Sequence, residues 1–262
     1  MEIRQADIDR FKRGDHENPR FWSRFGQVPD FRGAVILDVG SGWGSLCVDM
    51  ALAGAKRVVG LDTKPRLVEF AKEYVRRYYP QLVDIVEFEA VELRDYSEGI
   101  FGFIISKDSF EHIIELDRML GEMRKHLKPG GRIYAGFGPL YTSPYGDHDR
   151  RREILGPWGV WGRLCALVPW GHLFMESILI DVNNRYREKK VSSLYDLGLN
   201  KMSVSDYRRV FHESGLSVTD LRVNQSRRIR SKALSLFARI PFLEDYCIHN
   251  VYAILEEPSR RM

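Results

Sequence analysis

Three glycines set two apart, with a carboxylate before them, are the first chemistry this sequence offers. The run Asp38-Val39-Gly40-Ser41-Gly42-Trp43-Gly44 follows the apolar stretch VILDV (35–39). Glycine lets the chain bend sharply and lets a ligand reach the main chain with no Cβ in the way. Asp62 ends the next apolar stretch, RVVGLD (57–62). A carboxylate at a strand end can accept hydrogen bonds from both hydroxyls of a ribose. Two ligand classes suit such a pair. A dinucleotide asks for G-x-G-x-x-G, but Gly40 and Gly42 are followed by Trp43, Gly44 and Ser45, so the third glycine is missing. Asp38 would also repel a pyrophosphate and attract a cationic amino group. A nucleoside joined to an amino acid is therefore favoured.

A second group lies in GPLYTSPYGDHD (138–149), which holds Tyr141, Tyr145, Asp147, His148 and Asp149. His148 between two carboxylates can act as a general base with a raised pKa, with Tyr145 as an orienter. Equally, Asp147 and His148 can do no more than hold the loop together. Adjacent residues seldom converge on one ion, so no metal is expected from Asp147, His148 and Asp149. Cys47, Cys165 and Cys247 are odd in number and far apart. They make neither a metal spacing nor a disulfide framework, which points to a reducing, cytoplasmic setting.

These groups need elements to hold them. VILDV (35–39), RVVGLD (57–62), IVEF (85–88), FGFIIS (101–106) and RIYAGF (132–137) read as five strands. Between them Leu46, Met50 and Ala53 mark a helix stopped by Gly54. Leu67, Phe70, Tyr74 and Tyr78 mark a second, opened by Thr63 and Pro65. Leu116, Leu120, Met123 and Leu127 mark a third, closed by KPGG (128–131). Strands alternating with helices predict a parallel α/β sheet covered on both faces. Ser203, Asp206 and Gly215 bound a further helix. LSVTDLRV (216–223) and NVYAIL (250–255) are two last strands, with a short helical piece near Lys232–Ala238 between them.

In the order of its motifs the chain resembles the class I S-adenosylmethionine-dependent methyltransferases. VILDVGSGWG looks like their glycine motif, GLD (60–62) like the ribose contact, FGFIISKDSFEHI (101–113) like the strand-four block of the small-molecule branch, and LKPGGRIYAGF (127–137) like the turn into strand five. The resemblance implies a Rossmann-like, doubly wound, seven-stranded, mostly parallel sheet with an antiparallel last strand. It implies S-adenosyl-L-methionine as co-substrate. Asp38, Gly40, Ser41, Gly42, Trp43 and Gly44 would line its methionine portion and Asp62 its ribose. Thr63, Val91 and the backbone N–H of Glu92 would serve the adenine, and Lys107 and Asp108 would face the methyl donor. The resemblance further implies that amino-methylation of nucleobases and glutamine is disfavoured, because Ser106-Lys107-Asp108-Ser109 replaces the Asn/Asp-Pro-Pro-aromatic block. Glu111 and His112 are read as capping and orienting the following helix, and Cys47 as a core residue.

From 138 to 200 the strand–helix alternation breaks, in a stretch with three of the five Trp. This is read as a partly helical aromatic lid over the carboxyl ends of the strands, between a core at 35–137 and its completion at 201–262, with a helical cap at 1–34. The lid is expected to form an apolar pocket for a small or lipid-like acceptor, methylated at oxygen. The segment 157–177 can also touch a membrane surface, with Arg150, Arg151, Arg152, Arg227, Arg228, Arg230 and Lys232 as partners for an anionic group. Trp158 to Ile180 is broken by Arg163, Pro169, His172 and Glu176, so it does not read as a span. A net charge of +4 is too small to argue for nucleic acid. The rival readings are N- or C-methylation, RNA modification, and a non-catalytic binding module.

Overall fold

A computed structural model describes residues 3–224 and 234–259. Seven strands, β1 (Val35–Val39), β2 (Arg57–Leu61), β3 (Val86–Glu89), β4 (Phe101–Lys107), β5 (Leu127–Phe137), β6 (Ser217–Val223) and β7 (Val251–Glu256), form one sheet in the order β3-β2-β1-β4-β5-β7-β6. β1 pairs in parallel with β2 and β4, whereas β7 runs antiparallel to both β5 and β6. This is the expected doubly wound sheet with its antiparallel last strand. The order reverses between β1 and β4, and in open sheets of this kind the crevice outside that switch point receives ligands.

Side chains of β1 alternate between two cores. Leu37 and Val39 enter one with Leu120, Met123 and Phe211, while Ile36 enters the other with Phe70, Met50 and Phe31. Burial on both faces explains why the strand is an unbroken apolar run apart from Asp38. The covering helices are α1 (Gln5–Lys12), α2 (Gly14–Ser23), α3 (Ser45–Leu52) and α4 (Pro65–Tyr78) on one side, and α5 (Leu116–Lys125) and α9 (Val204–Glu213) on the other. In α4 Leu67, Phe70 and Tyr74 are buried as their spacing predicts. Tyr78, assigned to the same face, is 49% exposed.

Two boundaries depart from expectation. KPGG does not end α5, and Leu127 does not belong to that helix. β5 starts at Leu127, paired with Phe101, and residues 128–131 bulge before pairing resumes at Phe103 with Arg132. The helical piece before β7 is seen at 234–237, and its expected start at Lys232 lies outside the described residues, as do Arg227, Arg228 and Arg230. α9 starts with the capping box that Ser203 and Asp206 predict: Ser203 Oγ accepts from Asp206 N at 3.2 Å, and Asp206 Oδ2 accepts from Ser203 N at 3.0 Å.

The segment between β5 and α9 carries α6 (Arg150–Leu155), α7 (Gly159–Ala166) and α8 (Gly171–Tyr186). It has an apolar cluster of its own, built from Tyr141, Ile154, Leu155, Leu179, Val182, Leu194 and Leu199. Both its ends are tied to one turn after β4. Glu111 Oε1 accepts from Gly138 N at 3.2 Å, and Asn200 Nδ2 donates to the Phe110 and Ile113 carbonyls at 2.6 and 3.1 Å. Among the described residues, no helix is long and apolar enough to cross a membrane.

Candidate functional site

The bend after β1 is built from glycines in conformations that side chains resist. Gly40, Gly42 and Gly44 have φ of 85°, 55° and 83°. The N–H groups of Gly40 and Ser41 both donate to the Leu61 carbonyl, at 2.8 and 2.9 Å, which fastens the bend to the end of β2. Each glycine has a different reason to be one. A Cβ on Gly40 would strike Ser109 Oγ at 2.2 Å, and one on Gly44 would strike the Phe88 ring at 2.7 Å. A Cβ on Gly42 would meet nothing within 4 Å. Gly42 therefore borders open space at the mouth of the switch-point crevice.

Around that space stand polar atoms with nothing to bind. Asp38 is 1% exposed; its Oδ2 accepts from Cys47 Sγ at 3.2 Å, and its Oδ1 has no partner. Burial pushes its carboxyl up to about 7, with the Cys47 hydrogen bond and the Lys107 charge opposing. Ser41 Oγ is also buried without a partner. Buried polar atoms are nearly always satisfied, so each of these is open to a ligand group or a water. Asp62 is held in place by two backbone donors, Gly42 N to Oδ2 and Lys64 N to Oδ1, each at 2.9 Å. Each oxygen retains a lone pair for a hydroxyl. An aminoacyl nucleoside fits this set: an orphaned carboxylate for its amino group, a bare main chain along its side, and a fixed carboxylate for its ribose.

The other residues assigned to the donor are disposed unevenly. Trp43 Nε1 donates to Asp7 Oδ1 at 3.1 Å, which clips the glycine bend to α1, and Arg66 secures Asp7 at 2.8 Å. Thr63 is exposed beside Asp62, and Val91 is half-buried against the core. The exposed Glu92 pairs with Arg94 at 2.8 Å. Lys107, expected to face the methyl donor, donates from Nζ to Asn18 Oδ1 at 3.0 Å and pairs with Glu17 at 3.5 Å, so its charge is fastened to α2. Cys47 is fully buried as expected, but its thiol also serves Asp38.

The second group requires corrections. His148 was expected to have its pKa raised by two flanking carboxylates. Instead burial, and then the neighbouring His112, bring it down to about 4. Asp147 is turned elsewhere: its Oδ1 pairs with Arg151 at 3.1 Å and its Oδ2 accepts from Arg151 N at 2.9 Å, all of it buried. His148, at φ 50°, donates from Nε2 to the Pro139 carbonyl at 2.7 Å. Its ring lies 4.9 Å from that of His112. Tyr145 is 38% exposed and its hydroxyl reaches the Leu167 carbonyl at 3.5 Å, inside the 138–200 segment.

Glu111 and His112 do not cap α5, whose first turn has no side-chain cap. They stand with His148. His112 Nδ1 donates to the Gly198 carbonyl at 2.8 Å. Glu111 is 4% exposed, and burial raises its carboxyl to about 8, with Asp108 adding to the effect. Sequence reading could not pair residues 111 and 112 with residue 148, because only the sheet brings the ends of β4 and β5 side by side. Nor did it single out Ser109, whose hydroxyl abuts Gly40.

Comparison with known proteins accords with this geometry. Residues 37–135 match a family described as a methyltransferase domain. A ubiquinone biosynthesis O-methyltransferase of Mesorhizobium japonicum is 34% identical over 116 residues, 43% of this chain and 45% of that protein. A protein arginine N-methyltransferase 1 of Dictyostelium discoideum is 30% identical over 130 residues, 49% of this chain and 38% of that protein. The chain thus spans less than half the length of these relatives. Among solved structures, the magnesium protoporphyrin IX methyltransferase of Synechocystis, with bound S-adenosylhomocysteine, superposes with a TM-score of 0.54 at 16% identity, covering 98% of this chain and 88% of that one. Motif order, sheet order and the family match over residues 37–135 together support a class I S-adenosylmethionine-dependent methyltransferase domain in this part of the chain, with S-adenosyl-L-methionine as its co-substrate.

Proposed function

We propose that the chain transfers the methyl group of S-adenosyl-L-methionine to oxygen of a small or lipid-like organic acceptor. The observation that carries the donor site is the pair of unpartnered buried atoms, Asp38 Oδ1 and Ser41 Oγ, on the bend where Gly42 opens onto free space. When bound, the co-substrate supplies a methyl group already activated by a sulfonium. The chain then has to position and to exclude water. Asp38 attracts the amino group, and Asp62, steadied by Gly42 N and Lys64 N, accepts from the ribose. Thr63, Val91 and the Glu92 backbone border the adenine side. Holding two reactants in line in this way is worth up to about 7–11 kcal/mol.

The acceptor enters between the strand ends and the 138–200 segment, toward Glu111, His112 and His148. With Nε2 of His148 committed to Pro139, the lone pair is on Nδ1, where an acceptor hydroxyl can lose its proton. Tyr145 steadies the lid through Leu167. The lid surface is apolar: Trp161, Phe174 and Leu167 are 75%, 83% and 66% exposed. That surface supports a lipid-like acceptor and contact with a membrane face, where Trp is at home.

The test has two arms. Calorimetry with S-adenosylhomocysteine should show one site per chain, abolished by Asp62→Ala. Formation of S-adenosylhomocysteine should then be followed across hydroxylated acceptors presented in detergent or vesicles. His148→Ala should lower turnover about 100-fold or more while leaving donor affinity unchanged. Absence of donor binding would overturn the whole reading. Turnover restricted to amine acceptors would overturn the choice of oxygen.

A further inference from the structure

We propose that Glu111, His112 and His148 together bind one divalent transition-metal ion, leaving a coordination position open toward the acceptor. One ligand atom from each residue lies within 4.8 Å of the others, although the three residues come from two loops far apart in sequence. The hydrogen bonds sort the atoms. His112 spends Nδ1 on the Gly198 carbonyl at 2.8 Å, which leaves the lone pair on Nε2. His148 spends Nε2 on the Pro139 carbonyl at 2.7 Å, which leaves it on Nδ1. Glu111 spends Oε1 on Gly138 N at 3.2 Å, and its Oε2 is buried with no partner. Each residue thus holds one acceptor atom in reserve and is oriented through the other. Metal-ligating imidazoles are ordinarily oriented in just this manner, by a carbonyl on the far ring nitrogen.

The bond from Gly138 N accounts for Glu111 Oε1 and leaves Oε2 unexplained. The carboxyl is 4% exposed, and among the described residues no Lys or Arg pairs with it. Burial opposes ionisation of this carboxyl, and an ion at Oε2 offsets that opposition. Two imidazoles and one carboxylate suit zinc, iron or cobalt rather than magnesium or calcium, which prefer oxygen. Bonds of about 2.0–2.1 Å require the three atoms to draw together to about 3.3 Å. Loading the ion therefore requires the exposed His112 and the His148 loop to move slightly toward Glu111. Three protein ligands leave a position open, as in catalytic rather than structural sites.

What the ion does rests on the methyl-transfer reading above. An acceptor hydroxyl bound to it gives up its proton to solvent near neutral pH. The oxygen then forms its bond to the methyl carbon as the carbon–sulfur bond breaks. In the loaded protein the ion takes the Nδ1 lone pair of His148 and replaces the imidazole as the group that activates the acceptor.

The test uses the full chain, stripped with chelator and titrated with Zn²⁺ and Co²⁺ by calorimetry and visible absorption. One ion per chain is expected, with cobalt d–d bands and no thiolate charge-transfer band. His112→Ala, exposed and so harmless to the fold, and the isosteric Glu111→Gln should each weaken affinity at least about 10-fold. Absence of stoichiometric binding, variants that bind like the parent chain, or a thiolate band would overturn the proposal. S-adenosylhomocysteine affinity is measured on the same samples. Its retention in the stripped chain and in His112→Ala supports an ion site separate from the donor site; loss of donor binding with the ion site intact would strike the donor reading alone.

Discussion

Asp38, placed by the proposal against the amino group of the co-substrate, is buried at a cost to folding. Its carboxyl sits at about 7, above the ordinary 3.8, because it is buried. Between those two values the folded chain binds more protons than the unfolded one, so the contribution of this group to stability falls as pH rises from about 4 to about 7. Asp38→Asn removes that loss. The unliganded variant should be more stable than the parent by about 2–4 kcal/mol at pH 8 and little changed at pH 4, as read by denaturant melts at both. The same substitution should weaken S-adenosylhomocysteine at least about 10-fold at pH 8, because a charge facing the amino group is lost. In the parent chain affinity should rise from pH 6 to pH 8 as Asp38 ionises, and the Asn variant should lack that rise. Equal stability of the two proteins at both pH values would mean that Asp38 is not held against its charge.

The glycine bend, as an element, separates what is needed for folding from what is needed for the ligand. Gly44 at φ 83° faces the Phe88 ring at 2.7 Å, so Gly44→Ala should cost about 2–4 kcal/mol through strain and overpacking. Gly42 at φ 55° has open space beside it, so Gly42→Ala should cost only about 1–2 kcal/mol. Yet Gly42→Ala should abolish donor binding, since its methyl group would fill the open space that the proposal gives to the ligand. Thermal melts and calorimetry on the pair check this, and a Gly42→Ala protein that binds normally would put the donor elsewhere. The capping box of α9 belongs to the same scale. Ser203→Ala should destabilise by about 1 kcal/mol with donor binding untouched.

The molecule as a whole is a sheet core with a second, smaller apolar cluster built within the 138–200 segment. Arg151 is 1% exposed inside the 138–200 segment, bridging Asp147 and the Val168 carbonyl. Removing it strands a buried carboxylate, at a cost of about 3–5 kcal/mol. Arg151→Met should therefore loosen this segment before the sheet. Hydrogen exchange should quicken in α6 and α8 while β1 and β4 stay protected, because local clusters can open below the global free energy. Uniform loss of protection would show one cooperative unit instead.

Much of the fold was legible in the chain itself. Unbroken apolar runs such as VILDV specify strands buried on two faces, Ser203 and Asp206 specify a helix start, and the alternate glycines specify a tight bend at the end of β1, since each depends on neighbours within a few residues. KPGG misled because a proline–glycine turn reads alike whether it ends a helix or bulges a strand. The meeting of Glu111 and His112 with His148 was not legible, nor was the turn of Asp147 toward Arg151. Those depend on which strands lie side by side and on how deeply each group is buried. Burial sets the sign of the His148 shift, and it is a property of the packed interior that residue order does not display.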